Sequence, residues 1–282
     1  AEAVLRKLYE LRLNRIAPFK DTKVSASWNG LMIEALAEAG LLLGRDDYIG
    51  AACRAADFIL EHMVSPQGDV AGIYGGAQAG FLGDYANMAC ALHRLYVATR
   101  EMRYLRSALS VADAMVGRFY EPGEARFYMT GRGGELFMRP RDEYDGAMPS
   151  GTACAMTALA RLYHLSGRES LKNVLEAAVE AFLPVAGESP VSHVHFLSVL
   201  LSRFVPHRQI VIAAGRDDGE AVRAYRRIAA QLAPFTTAIF YDGSAEMRET
   251  LPELARYDTD ELFAAYVCED FACGRPLHSA ET

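Results

Sequence analysis

Two carboxylates in glycine-bounded junctions are the residues with the clearest chemical potential in this chain. Asp84 stands in Gly80-Phe81-Leu82-Gly83-Asp84-Tyr85, and Asp145 closes the crowded run Arg139-Pro140-Arg141-Asp142-Glu143-Tyr144-Asp145 ahead of Pro149-Ser150-Gly151. Paired carboxylates, one protonated and one ionised, are what glycoside hydrolysis needs, so Asp84 and Asp145 are the candidate catalytic pair. Around them lie residues suited to holding a substrate. Trp28, the sole Trp, offers a flat apolar face that can stack on a sugar ring. Asn29 both donates and accepts, Lys23 supplies charge beside Asp21, and Tyr85 and Tyr144 carry hydroxyls. The Arg139 fork suits a carboxylate or phosphate, and Ser150 with the amides after it can bind an anion. Plainer roles compete at each position: a core Trp28, Asp84 or Ser150 as a helix cap, and a solvated charged loop around Asp145.

Histidine and cysteine add less. His93 and His164 fall mid-helix and read as core or surface residues, whereas His193 and His195 open a helix and can reach a site. No spacing matches a zinc motif, so neither metal nor cofactor is expected. Cys53, Cys90 and Cys154 sit among Ala and Leu as small apolar residues. Cys268 and Cys273 have a four-residue spacer, unlike a C-x-x-C redox motif, and remain open to a disulfide, a shared metal or no special role. The odd cysteine count favours free thiols and a reducing, cytoplasmic setting.

The elements that must position these residues are helical and repeated. Ser27–Val64 aligns with Gly83–Tyr120 at an offset of 56, and a further offset of 67 sets 91–96 on 158–163. Matches fall at helix-face spacing, as the packing positions of a repeat should. Each unit reads as two helices: about 29–43 then 46–64, 84–99 then 102–119, and 151–166 then 168–183, with Gly44 and Gly167 as stops. Links within a unit are short and links between units are long. The pattern predicts a mainly α fold, an incomplete (α/α) toroid in which first helices line the middle and second helices wrap outside. All long links, with the inner-helix N-termini, then meet at one funnel end, where a site would sit. Residues 1–14 read as an outer helix whose inner partner is missing, which suggests a chain cut from a longer protein, and 192–204 as a further inner helix. Past Pro206 the pattern changes to strands near 208–214, 236–241 and 264–268 with helices near 218–232 and 245–255, a small βαβ-type appendage. The expected domains are 1–205, the partial toroid, and 206–282, the α/β unit packed on it.

The 282 residues, 51% hydrophobic, suffice for a sizeable core. A net charge of −7 argues against nucleic acid or an anionic membrane as partner, and no apolar run approaches the ~20 residues of a membrane span. The N-terminus lacks the basic start and apolar centre of a signal peptide.

Four motifs in order, DTKVSASWNGLMIEALA, GFLGDYA, RPRDEYDGAMPSG and AAYVCEDFACGRPL, resemble the C-terminal half of the spermatogenesis-associated thioredoxin-like proteins and their bacterial relatives. That resemblance implies a thioredoxin-like domain followed by a toroid of the six-hairpin glycosidase and N-acylglucosamine 2-epimerase type, with the former absent from this chain. It supplies no reaction. The expected function is a carbohydrate-active or sugar-binding toroid with a small sugar as ligand. The alternative is a non-catalytic helical scaffold, or protein-interaction module, accompanying the thioredoxin-like domain.

Overall fold

The structure is a computed structural model that describes residues 2–76, 78–133, 137–231, 235–257, 259, 263–269 and 271–278. Three helical hairpins follow one another: α2 (Ala26–Leu43) with α3 (Asp46–His62), α4 (Leu82–Thr99) with α5 (Met102–Phe119), and α6 (Gly151–Ser166) with α7 (Glu169–Glu188). α1 (Glu2–Leu13) precedes them, and a 3-10 turn opened by Pro190 leads into α8 (Val194–Leu201), which trims the helix expected over 192–204. The hairpins turn on left-handed residues at the ends of their first helices. Gly44 (φ 62°) and Gly167 (φ 69°) take that conformation freely, and Arg100 (φ 64°) adopts it between α4 and α5.

α2 packs on α4, α4 on α6 and α6 on α8, giving an inner layer, while α3, α5 and α7 pack outside on their own partners. Burial follows from this. α4 is apolar on nearly all sides and almost wholly buried, as a helix between layers must be. α5 buries Met102, Leu105, Leu109, Ala112, Met115 and Phe119, the one stripe that three- and four-residue spacing provides. At the α2–α4 crossing a Cβ on Gly30 would stand 2.8 Å from the Asn87 carbonyl carbon, so only glycine permits the approach. α1 has no buried residue, and Val4, Leu5 and Leu8 on it are exposed. Among the described residues no helix is long and apolar enough to cross a membrane.

The α/β unit follows α8. β3 (Arg208–Ala213), α9 (Gly219–Ala229) and β4 (Thr236–Tyr241) form a parallel crossover, then come α10 (Ala245–Thr250), β5 (Ala264–Glu269) and β6 (Ala272–Cys273). The sheet order is β4-β3-β5-β6, and β5 runs antiparallel to β3, so the unit extends the expected βαβ by an antiparallel edge. A small separate hairpin, β1 (Tyr120–Glu121) and β2 (Arg126–Phe127), follows α5. Cys268 and Cys273 lie directly across from one another and are joined as a disulfide, which settles the open reading of this pair and corrects the expectation of free thiols there. Cys53, Cys90 and Cys154 are free.

The α/β unit docks where the inner helices end. Tyr225 on α9 donates its hydroxyl to the Val97 carbonyl at 2.8 Å, and Gln209 Nε2 on β3 donates to the His164 carbonyl at 2.8 Å. These carbonyls belong to the last turns of α4 and α6, which have no intrahelical donor of their own. The unit thus satisfies orphan acceptors and closes the short-link end of the inner layer.

Candidate functional site

At the long-link end, the motif carboxylates are engaged by helix N-termini. Asp84 Oδ1 accepts the Ser27 amide at 3.0 Å, and Oδ2 accepts the Phe81 amide at 2.8 Å. One buried carboxylate therefore ties the start of α2 to the start of α4. Asp145 does the same for the next pair: Oδ1 accepts the Ser150 amide at 2.8 Å, and Oδ2 accepts the His195 and Phe196 amides at 2.8 and 3.3 Å. Asp142 Oδ2 accepts the Gly151 amide at 2.7 Å, and Ser150 Oγ caps α6 by accepting the Ala153 amide at 3.3 Å. Negative charge at amides that no helix can satisfy internally is favourable twice over, by hydrogen bonding and by the dipole. Burial raises the Asp84 carboxyl above its ordinary value, against the pull of its two amides. Burial pushes Asp145 the same way, but the Ser150, His195 and Phe196 contacts outweigh it and hold that carboxyl low.

The other candidates at this end disperse. Trp28 is 59% exposed, beside exposed Met32 on the same face of α2. Asn29 Nδ2 donates back to the Ser25 carbonyl at 2.8 Å, and Lys23 pairs with Asp21 at 3.2 Å in the open. Tyr85 turns to the outer layer, edge-on to Phe119, and its hydroxyl donates to Asp69, which also binds Arg118. Arg139 donates from Nε and Nη2 to the Thr130 carbonyl and stacks over Tyr128, while Tyr144 is exposed. Tyr85 lines a shallow second cavity of about 470 Å³ with Asp69 and Arg118.

A larger cavity, about 660 Å³, lies elsewhere: along the concave side of α4, α6 and α8, bounded by β4 and α9 of the α/β unit. None of the nine residues singled out from the motifs lines it. Glu38, Arg94 and Arg161 do, and they occupy equivalent positions of three successive inner helices at the two repeat offsets. Arg161 Nη1 pairs with Glu34. Arg94 Nε lies 3.0 Å from a Glu38 oxygen, an ion pair without hydrogen-bond alignment, and its Nη2 is buried with no acceptor.

Four histidines complete the lining. His93 is only 7% exposed, and neither ring nitrogen has a hydrogen-bond partner. Burial, with Arg161 and Arg94 adding to it, holds its pKa well below the usual imidazole value. His195 Nε2 lies 3.0 Å from Thr157 Oγ1, whose single hydrogen goes to the Ala153 carbonyl at 2.9 Å. The arrangement that makes both contacts hydrogen bonds has Nε2–H donating to Thr157, with the lone pair on Nδ1 when the ring is neutral. Burial lowers the His195 pKa, partly opposed by Asp145. His164 and His207 stack with ring centroids 3.5 Å apart and planes 7° from parallel, across the junction between toroid and α/β unit. Burial, then His164, pushes His207 down to about 3, and its Nε2 sits 2.8 Å from Thr237 Oγ1.

A neutral imidazole with an assigned lone pair is a competent base, and guanidinium groups in a low-dielectric cavity stabilise developing negative charge. The mid-helix reading of His93 as a core residue agrees with its burial, but it carried no expectation of a cavity beside it. Its signal was nevertheless present: mid-helix charges on apolar helices, recurring as Glu38, Arg94 and Arg161 at the repeat offsets. Among the described residues no group of three or more His, Cys, Asp or Glu is arranged to hold a metal.

No protein-family model matches the chain. Over 97% of its length it is similar to human spermatogenesis-associated protein 20, at 29% identity, and to the mouse protein of that name, at 27%. An uncharacterized Caenorhabditis elegans protein matches over the same share at 22%. The resemblance carried by the four motifs thus extends along nearly the whole chain. The chain spans 37% of the length of the human and mouse relatives. Among solved structures, cellobiose 2-epimerase from Bacillus thermoamylovorans matches 59% of this chain and 46% of its own at 18% identity, TM-score 0.48. An inactive variant of an α-1,6-mannanase from Salegentibacter, in complex with α-1,6-mannotriose, matches 64% and 54% at 13% identity, TM-score 0.48.

Proposed function

We propose that the cavity between the inner helices and the α/β unit is a sugar-binding, carbohydrate-active site. The observation that carries this reading is the convergence there of His93, Arg94, Arg161, Thr157 and His195 in a cavity of about 660 Å³. That volume is in the range of small-ligand sites, and the mix of apolar walls with a few directed polar groups suits a ring bearing hydroxyls. His195, as the neutral base, takes a proton through Nδ1, and Arg161 offsets the charge that develops. Asp84 and Asp145 act in this proposal as positioning residues, since amides occupy both oxygens of each. The thioredoxin-like domain implied by the resemblance lies, on this proposal, in the remaining length of the relatives.

Calorimetric titration with a panel of hexoses and disaccharides tests the site. Saturable binding is expected, weakened about tenfold or more by His195→Gln and by Thr157→Val, each of which removes one to two directed hydrogen bonds. A panel with no binder, or binding indifferent to both substitutions, would overturn the reading.

A further inference from the structure

We propose that the ligand of this cavity carries an anionic group, a carboxylate or a phosphate, received by Arg94 and His93. The inference rests on the cavity being the ligand site, as proposed above. It begins with hydrogen-bond groups that the protein leaves without partners. Arg94 keeps only 13% of its side chain exposed, yet its buried Nη2 has no acceptor and its Nε meets Glu38 without hydrogen-bond alignment. His93, the preceding residue on α4, is buried with both ring nitrogens unengaged. Buried polar groups are paired in the great majority of cases, and an orphaned one is costly, more so when charged. Adjacent residues lining one cavity with this shortage indicate that the missing partner comes from a ligand.

The charges around the pair show which partner. From α2, Glu34 is committed to Arg161 and Glu38 to Arg94. α6 contributes Arg161 and His164, α8 contributes His195, and His207 precedes β3. Of the described lining residues only Glu38 is acidic, against two arginines and four histidines. Burial depresses even the Arg94 pKa, with Glu38 opposing it and Arg161 adding to it. A neutral hydroxyl would give Arg94 Nη2 an acceptor, but no negative charge to favour a protonated His93. A planar carboxylate or a phosphate supplies both, in the geometry a guanidinium fork matches, and would allow His93 to bind as a protonated donor.

The test is a matched titration of the whole chain with D-glucose, D-glucuronate, D-glucose 6-phosphate and inorganic phosphate, at constant ionic strength. At least one of the two acidic sugars is expected to bind about tenfold or more tightly than glucose, and which of them does so identifies the group as carboxylate or phosphate. Arg94→Gln should abolish that preference, read as the ratio of acidic-sugar to glucose affinity within the one variant, and Arg94→Lys, which keeps charge without the fork, should restore part of it. Melting curves of both variants establish that they are folded, and His93→Gln offers the same comparison without touching the Glu38 pair. Glucose binding as tightly as its acidic forms would overturn the inference and leave the sugar site standing. Phosphate binding without any sugar would support the anion site and count against the sugar reading. No binding by any of the four would overturn the inference.

Discussion

His195 shows how far a single side chain can be specified. Its tautomer follows from one hydroxyl with one hydrogen, which goes to Ala153 and leaves Thr157 as acceptor. Long-range 15N spectra of the imidazoles should therefore show His195 protonated at Nε2 at neutral pH, and Thr157→Val should remove that preference. An Nδ1-protonated ring in the wild type would contradict the assignment. Asp145 makes a different kind of prediction. Its folded pKa is below the unfolded value of about 3.9, so its contribution to stability is present above that value and lost as pH falls through the folded one. Asp145→Asn should cost about 1–3 kcal/mol at pH 7, read by chemical denaturation, with the cost shrinking below about pH 4. An unchanged midpoint with lost ligand chemistry would instead return Asp145 to the catalytic role. For Asp84, whose carboxyl is raised, the sign reverses: its contribution is full below the unfolded pKa and declines as pH rises through the folded one. Sequence spacing located these carboxylates at inner-helix N-termini and offered Asp84 as a helix cap, a local role it fills at the Phe81 amide, but the Ser27 amide of Asp84 and the His195 amide of Asp145 lie beyond such a reading, because they belong to segments 50 to 60 residues away.

The elements were the most legible level, because a stripe at helical spacing needs only local sequence. Hairpins, stops at Gly44 and Gly167, and the change to strands after Pro206 were all readable, and the strands stand within a residue of their expected bounds. What the pattern did not carry was the antiparallel edge of the sheet, which depends on pairing between β3 and a strand more than 50 residues later. Contacts between elements give sharp tests. Gly30→Ala drives a methyl into the Asn87 backbone, so α2 must retreat from α4, at about 1–3 kcal/mol of stability. The β5–β6 hairpin is closed by its disulfide. Alkylation of the unfolded, unreduced protein should label three thiols, Cys53, Cys90 and Cys154, and five after reduction. Five without reductant would refute the pairing.

For the whole molecule, the cavity is walled on one side by α4, α6 and α8 and on the other by α9 and β4 of the α/β unit. The funnel end suggested by the long links holds the helix-start clamps, whereas the cavity sits toward the short links, because the appended unit closes that end. No helical repeat predicts where an appended unit docks. The proposed division at 205/206 therefore separates segments that line one cavity, and residues 1–205 alone should lose any ligand response that the full chain has. The single Trp makes the two ends distinguishable in one experiment. Sugar titration followed by NMR should shift the imidazole resonances of His93 and His195, with the Trp28 indole N–H unmoved. A saturable shift at Trp28 with those histidines unmoved would contradict the account and return the site to the long-link end.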